Sequence, residues 1–357
     1  HYGGLSDLLD VSQSHELDAT DVRVEVFYHA GLSWWKSPTG KKLGPFATQG
    51  GDTFWTRLLD DRTHASQVTT GTAGNQLHGW WRDFITRVVA TKRKSGSPTR
   101  IQRLSGADDF VPGFDDSNPA EPAIHMLGPV EFTVNGQPAV RRFGATESQN
   151  TNGVSLLMRV DFGQSRVLLT GDLNKASQAK LLEDYTGNRL EFKCDVAKAC
   201  HHGAEDISYK FLQAMEPGAT VISSGDNEGH DHPRPSIIAA SATTGHLQLS
   251  NNEDDLLTPL VFSTELARSI DLGFPTKFEE KDTSGNVTNT VSGAPLERST
   301  LHLKNAKRKT VRMANAMVVG GLIYGLVNVR TDGSKILCAT LDEKSSEWRI
   351  HSFTSRF

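Results

Sequence analysis

Leu168-Leu169-Thr170-Gly171-Asp172 is an apolar run that stops at a glycine and a carboxylate. Apolar side chains drive such a segment into the middle of a sheet, and Gly171 lets the backbone turn. Asp172 is thereby delivered to the sheet edge, where α/β folds place their sites. Taken alone, Asp172 serves equally well as the N-cap of a following helix. Before this run, Ile124–Leu127, Val130–Val134, Val154–Val160 and Arg166–Thr170 have the character of strands, with Gly136 and Gly163 at turns. After it, the spacing predicts a helix at Lys175–Tyr185, a short strand at Asp195–Ala199 and a helix at Ile207–Met215. A buried strand at Thr220–Ser223 and a helix at Pro235–Thr243 come next. Strands that alternate with helices in this way make a layered α/β domain, which closes near Leu249.

The flanks read differently. Val22–Tyr28 alternates as a strand, and residues from about 36 to 122 read as an insertion. Within it, Phe54–Leu59 and Gln76–Val89 carry helical spacing, the latter with Leu77, Trp81, Phe84, Ile85 and Val88 on one face. The basic Lys92-Arg93-Lys94 run precedes a Ser95-Gly96-Ser97-Pro98 break, and Gly106–Pro122 is an acidic, turn-rich connection. From residue 256 to 357 the chain becomes a β-rich extension expected to pack on the domain formed by 1–255. It carries a basic Lys304–Arg312 run and strands at Ala316–Val329, Ile336–Leu341 and Trp348–Phe353. Thr331-Asp332-Gly333-Ser334 turns the first two of these into a hairpin.

Composition bounds the function. The chain has 357 residues, 37% hydrophobic and 22% charged, with a formal net charge of -4. A chain of this size buries roughly three quarters of its unfolded surface, which suits one large or two medium domains rather than a disulfide-stapled scaffold. No stretch approaches the ~20 apolar residues of a membrane span, so no span is expected. Cys194, Cys200 and Cys338 show no C-x-x-C spacing and read as buried thiols of a reducing, cytoplasmic compartment. The slight negative charge gives no global affinity for polyanions, so any nucleic-acid contact must come from local patches. The opening His1-Tyr2-Gly3-Gly4-Leu5 lacks an initiator Met and reads as the end of a segment that starts upstream.

Imidazole and carboxylate groups gather at predicted strand ends. Asp172 ends one strand, Cys200-His201-His202-Gly203 ends the next, and Ser223-Ser224-Gly225-Asp226-Asn227 ends a third before Gly229-His230-Asp231-His232-Pro233. Adjacent histidines on an extended backbone point different ways, so one is expected to meet a metal and the other to brace it or contact substrate. Neutral nitrogen and hard oxygen together suit Zn(II), Mn(II) or a related divalent ion. Two such ions activate water and clamp the oxygens of a displacement. Singly, each of these features also has a plain reading as a cap or a surface histidine.

Together they resemble the metallo-β-lactamase superfamily, and within it the ComEC-type hydrolase domain associated with bacterial DNA uptake. The family's Asp-His, aromatic or apolar residue, Gly-Gly-Leu ending is matched by His1-Tyr2-Gly3-Gly4-Leu5, and its Asn-x-x-Ser strand entry by Asn152-Gly153-Val154-Ser155. Its Leu-Leu-Thr-Gly-Asp is matched by Leu168 through Asp172, and its His-His-Gly-Ser by His201-His202-Gly203, with Ala204 in place of Ser and Ser208 downstream. The late elements are matched by Ser223, Gly225, Asn227 and His232-Pro233, with Asp231 where the family has Gly. The resemblance covers 1–20 and 124–249. It implies a four-layer αββα sandwich, here carrying the insertion and the C-terminal β-rich extension. It also implies a divalent-metal site, with two Zn(II) or Mn(II) ions, His1 and His201 as ligands and Asp172 bridging. His202 would be an alternative ligand and His232 a phosphate contact or proton donor. Asn152, Ser155, Ser208 and Asn227 would face substrate, Asn152 standing where the wider superfamily has a histidine ligand. By position His29 and His125 are further candidates, although a lone strand-end histidine is usually structural.

The leading expectation is a phosphodiesterase or nuclease acting on nucleic acid or a nucleotide through a metal-activated water, with His232 or His202 assisting the leaving group. Lys92, Arg93, Lys94, Arg100 and Arg103, and Lys307, Arg308, Lys309 and Arg312, are candidate phosphate contacts, against the plainer reading of a solvated charged face. Trp34, Trp35, Trp80 and Trp81 are candidate base stackers, against core packing. The same metals also suit an ester, a thioester or a lactam, since one fold hosts many hydrolyses. A third reading is a module with a degenerate metal site whose insertion or extension binds a protein partner.

Overall fold

The computed structural model describes residues 3–10, 22–38, 42–71, 75–225, 232–251, 256–265, 272–273, 277–282, 286–292, 299–301, 309–311, 318–319, 325–342 and 346–357. Its N-terminal part contains α1 (Gly3–Leu8), β1 (Val26–His29), β2 (Phe46–Gln49), β3 (Asp52–Trp55), α2 (Arg62–Thr70), α3 (Gly79–Ala90) and β4 (Arg100–Arg103). The middle contains β5 (Ala123–Gly128), β6 (Glu131–Val134), β7 (Gln137–Arg141), α4 (Glu147–Gly153), β8 (Leu157–Phe162), β9 (Ser165–Leu169) and α5 (Lys175–Asp184). Then come β10 (Val196–Lys198), α6 (Tyr209–Met215), β11 (Ala219–Ile222), α7 (Pro235–Thr244), β12 (Gln248–Leu249), β13 (Leu256–Thr258) and β14 (Leu260–Ser263).

The central sheet has six strands in the order β14-β11-β10-β9-β8-β5. Strands β9, β10, β11 and β14 run parallel, while β8 and β5 are antiparallel neighbours at one side. One face packs Leu157, Leu168 and Ala197 against α5, α6 and α7 through Leu181, Leu182, Phe211, Leu212, Met215, Ile237 and Ala240. The other face is covered twice. Met126, Ile124 and Met158 meet Tyr28 and Leu104 at the β1–β4 pair. Val196, Ala219 and Phe262 meet Ile336, Cys338 and Phe353 of the antiparallel sheet Val327–Thr331, Lys335–Asp342 and Glu347–Thr354. Helices α2 and α3 close the outside of β1–β4 through Ala65, Val68, Phe84, Ile85 and Val88. The result is an α/β sandwich with two sheet layers between two helix layers, each apolar sheet face buried.

The C-terminal strands are tied in by a carboxylate. Asp195 is fully buried and accepts from the Arg166 amide at 2.9 Å, the Ser355 hydroxyl at 2.6 Å and the Arg356 amide at 3.2 Å. A buried charge held by three donors is satisfied only while the tail is in place. Between 36 and 122 the expected helix at Phe54–Leu59 is instead β3 followed by extended chain. The spacing of Phe54, Trp55, Leu58 and Leu59 suits a helix face, but Gly50 (φ 61°) and Gly51 (φ 88°) supply the turn that pairs β2 with β3. A helix unforeseen in the sequence, α2, starts at Asp61, whose side chain accepts from the His64 amide at 2.8 Å. The expected strand at Ala316–Val329 lies largely outside the described residues. Among the described residues no helix is long and apolar enough to cross a membrane, and all three cysteines are buried and free.

Candidate functional site

Three parallel strands end side by side and build the site. Leu168 is completely buried and anchors β9. The Thr170 hydroxyl donates to Lys198 O at 2.8 Å, which fixes the exit of β9 to that of β10. Gly171 turns at φ 54°, where a Cβ would stand 2.6 Å from Ser155 Cβ, so only glycine fits. Ser155 also secures Asp172: its hydroxyl donates to Asn152 O at 2.8 Å and accepts the Asp172 amide at 3.0 Å. Asn152 reaches the site on α4, a helix started by a Thr146–Gln149 capping box that the sequence pattern had not revealed.

The second strand end is strained. After β10 the chain places His201 (φ 45°, ψ 49°) and His202 (φ 54°, ψ 23°) in the left-handed region, followed by Gly203 at φ 78°. Each left-handed histidine costs about 1–2 kcal/mol, a local expense typical of functional turns. The turn is pinned on both sides, by His201 N donating to Gly171 O at 3.3 Å and Arg234 N donating to Gly203 O at 2.9 Å. Its consequence is the separation of the two rings. His202 Nε2 lies 3.3 Å from Asp172 Oδ1, while His201 Nε2 lies 3.2 Å from the Asn152 side-chain nitrogen. The His201 ring is also 5.8 Å from that of His232 and 6.5 Å from that of His202.

The electrostatics centre on Asp172. Burial alone raises its carboxyl, but the His202 hydrogen bond and charge, with Lys198 and His201 adding, hold it below the usual carboxylate range. Its bond to Asp172 raises His202 against the opposing effect of burial. Lys198, expected only as part of a strand, is a further member of the group. Its Nζ donates to Gly171 O at 2.8 Å and Ala199 O at 3.0 Å and stands 3.8 Å from Asp172 Oδ1. Burial lowers its pKa, with Asp172 opposing. Val196 and Ala197 before it are both buried, and a lysine that ends such an apolar run was the available signal that the chain leaves the core there.

The His202–Asp172 pair can be tested against a metal by its protons. His202 Nδ1 is 2.5 Å from the Ser223 carbonyl, which can only accept, so Nδ1 carries a hydrogen. A neutral His202 therefore turns the Nε2 lone pair toward the carboxylate, and two lone pairs face each other only with positive charge between them. That charge is a second imidazole proton or a cation. Two ligands bound at about 2.0–2.1 Å to a tetrahedral ion stand roughly 3.3–3.4 Å apart, so the pair fits one edge of a coordination shell. The Nδ1–carbonyl bond is the outer contact that orients ligating histidines. No group of three His, Cys, Asp or Glu side chains suited to an ion occurs among the described residues.

His1 and Asn227, expected as a metal ligand and a substrate contact, lie outside the described residues. It is His202 that stands against Asp172, with His201 turned to Asn152 and His232. Ser208 is the N-cap residue of α6, its amide held by Gln178 Oε1 at 2.6 Å. His29 is buried at the end of β1, and His125 lies within β5, 3.4 Å from Asp161 and against Phe110. Trp35 is buried in the core beside α2 and α3, and Trp80 is 79% exposed. Lys92–Lys94 precede β4 at the end of the β1–β4 pair away from His29, with the Val24 amide bonded to Lys92 O. Arg103 is occupied by Asp60 and Glu131. Lys307, Arg308 and Arg312 lie outside the described residues.

No family model matches the chain. Over 253 residues, 66% of its length, it is 28% identical to ComE operon protein 3 of Bacillus subtilis (strain 168), of which it covers 30%. Over 87 residues, 24% of its length, it is 34% identical to competence protein ComA of Neisseria gonorrhoeae, of which it covers 12%. The chain thus spans less than a third of either relative. At these identities it is a distant homologue of competence proteins.

Proposed function

We propose that the chain is the metal-dependent phosphodiesterase unit of a competence-type DNA-uptake protein and cleaves nucleic acid. The observation that carries this reading is the confrontation of His202 Nε2 and Asp172 Oδ1 at 3.3 Å, with the Nδ1 proton committed to Ser223. In this reading Asp172 and His202 hold a divalent ion, Zn(II) or Mn(II), with His1 completing the donor set. Such an ion lowers the pKa of water and polarises a phosphoryl oxygen. The residues of the chain do the rest. Ser155 and Gly171 aim the Asp172 carboxylate, and the Ser223 carbonyl keeps His202 in the tautomer whose Nε2 faces it. Lys198 places a fixed positive charge on the flank of Asp172, where negative charge gathers as phosphorus is attacked. His201 and His232, set together by the left-handed turn and by Asn152, lie where a non-bridging oxygen or a leaving group is met. The similarity to competence proteins favours DNA over an ester or lactam as substrate.

The test uses the full-length protein, stripped of metal and reloaded with Mn(II) or Zn(II). It is offered labelled DNA, labelled RNA, p-nitrophenyl acetate and a chromogenic lactam. DNA cleavage is expected, falling by about 10²–10⁴-fold in Asp172→Asn. Turnover of the ester or lactam alone, or equal DNA cleavage by Asp172→Asn, overturns the proposal.

A further inference from the structure

We infer that a face of aromatic rings and cations beside α4 is the track along which a single strand of nucleic acid reaches the Asp172–His202 site. The destination rests on the nuclease reading above; the surface rests on other residues. Phe46 and Trp55 are direct partners across the β2–β3 hairpin, so their rings share one face, 5.6 Å apart at 84°. The Arg142 guanidinium lies 4.8 Å from the Phe46 ring centre and 5.5 Å from that of Trp55. Its Nε donates to Gly144 O at 3.0 Å, which fixes the plane of the group. Lys42 Nζ stands 5.8 Å over the ring of Trp34, which packs with Trp55 in the same apolar cluster. Phe46 is 41% exposed, Lys42 is exposed, Trp34 and Arg142 are half-buried, and Trp55 is buried behind them, so Phe46 and Trp34 are the rings that a base can reach and Trp55 is their support.

Charge separates this face from its reverse. Arg141 points to the other side of the sheet and is neutralised by Asp52 at 3.1 Å and Asp184 at 2.6 Å. Arg142, the next residue, makes no ion pair among the described residues, and neither does Lys42. Cations without carboxylates suit phosphates, and ring faces suit unstacked bases, which a duplex does not offer. The face is also wired to the site. Trp55 Nε1 donates to Asn150 Oδ1 at 3.1 Å, and the Phe143 amide donates to the same oxygen at 2.8 Å. Asn150 precedes by two residues the Asn152 that meets His201, a rise of about 3 Å along the helix. The basic Lys92–Lys94 run has no such connection, lying at the other end of its sheet.

The test is fluorescence anisotropy of a fluorescein-labelled oligo-dT on the full-length protein in EDTA, where no cleavage occurs. Phe46→Ala and Arg142→Gln are each expected to weaken binding by roughly tenfold. Arg142→Gln should also flatten the salt dependence of binding, because it removes one phosphate contact. The double variant Lys92→Ala, Lys94→Ala is expected to bind as wild type, and a blunt duplex to bind less well than oligo-dT. A thermal melt of each variant separates lost binding from lost folding, and Lys42→Ala, on an exposed side chain, is the variant least able to disturb the fold. Unchanged affinity in folded Phe46→Ala and Arg142→Gln overturns the proposal. Equal binding of polyglutamate, an anionic chain without bases, overturns it too. If face variants lose binding while wild type cleaves nothing with any metal, the face stands and the nuclease reading falls. If wild type cleaves DNA and the face variants bind and cleave as it does, the reverse holds.

Discussion

His29 ends β1, and His202 lies just past the end of β10, so both are strand-end imidazoles of the kind that a sequence presents as ligand candidates. His29 is 6% exposed, and its Nδ1 accepts the Gly31 amide at 3.1 Å. Burial, with the charge of Arg103 adding, pushes its pKa down to about 4. His202 donates through Nδ1 instead, and the Asp172 carboxylate raises its pKa. Strand-end position is common to both. What differs is the partner: a backbone amide that requires a neutral acceptor, or a carboxylate that invites positive charge. The backbone differs as well, since His202 is held left-handed while His29 sits in regular strand. The proposed chemistry therefore tracks the carboxylate and the strained turn.

The sharpest way to break this contrast is to remove each ring. His202→Gly should lower DNA cleavage by about 10²–10³-fold, the scale of losing a group that acts on the reacting centre. The same change should stabilise the fold by about 1 kcal/mol, because glycine accepts the left-handed conformation. His29→Ala should do the opposite, costing about 1–3 kcal/mol through the cavity beside Phe27 and leaving cleavage within a few-fold of wild type. Cleavage assays paired with urea unfolding of both variants check the crossing. Parallel losses in both measurements would erase the distinction.

A smaller effect comes with pH. Above pH 6.5 His29 is neutral in the folded and the unfolded chain and contributes nothing to pH dependence. As pH falls from 6.5 toward 4 the unfolded chain takes up a proton that the buried ring refuses, so stability drops across that window. The gap corresponds to a loss of up to about 3 kcal/mol, complete once pH is below the folded value. Urea midpoints at pH 7 and pH 4.5 should therefore diverge less in His29→Gln than in wild type. An identical acid loss in the two proteins would mean that His29 is not held neutral by the fold.

Much of this architecture was legible because it is written in apolar periodicity. Leu168, Ala197 and Ile222 lie in short apolar runs ended by polar residues, and these became parallel strands ending at one edge. The motif Leu-Leu-Thr-Gly-Asp located Asp172 and its turn, because a glycine before a carboxylate is a local requirement. The identity of the histidine beside Asp172 was not legible. Alternation on an extended strand separates two adjacent side chains but cannot say which faces the carboxylate, and His201 and His202 are not extended. Left-handed torsions at two non-glycine residues arise from tertiary restraints, here Gly171 O and Gly203 O, that no local pattern reports. The β2–β3 hairpin is ambiguous in sequence for a related reason: four buried residues in Phe54–Leu59 fit a helical face equally well, and it is the turn at Gly50 and Gly51 that decides for the strand.

Lys198 tests the smallest part of the contrast, the charge on the far side of the carboxylate that His202 meets directly. Its ammonium holds two backbone carbonyls and flanks Asp172, so it has a structural and an electrostatic task at once. Lys198→Met keeps the length and apolar stem of the side chain and removes both the donors and the charge. Loss of the two hydrogen bonds should cost about 1–3 kcal/mol of stability, visible as a lower urea midpoint. If clamping Gly171 and Ala199 were the whole task, kcat and KM of the folded protein would then be unchanged. Because the charge lies against the carboxylate that the proposed reaction uses, kcat is expected to fall about tenfold, equivalent to about 1.4 kcal/mol, with KM altered by less than that. A stability loss accompanied by wild-type kcat would reduce Lys198 to a clamp, leaving the difference between His202 and His29 to Asp172 alone.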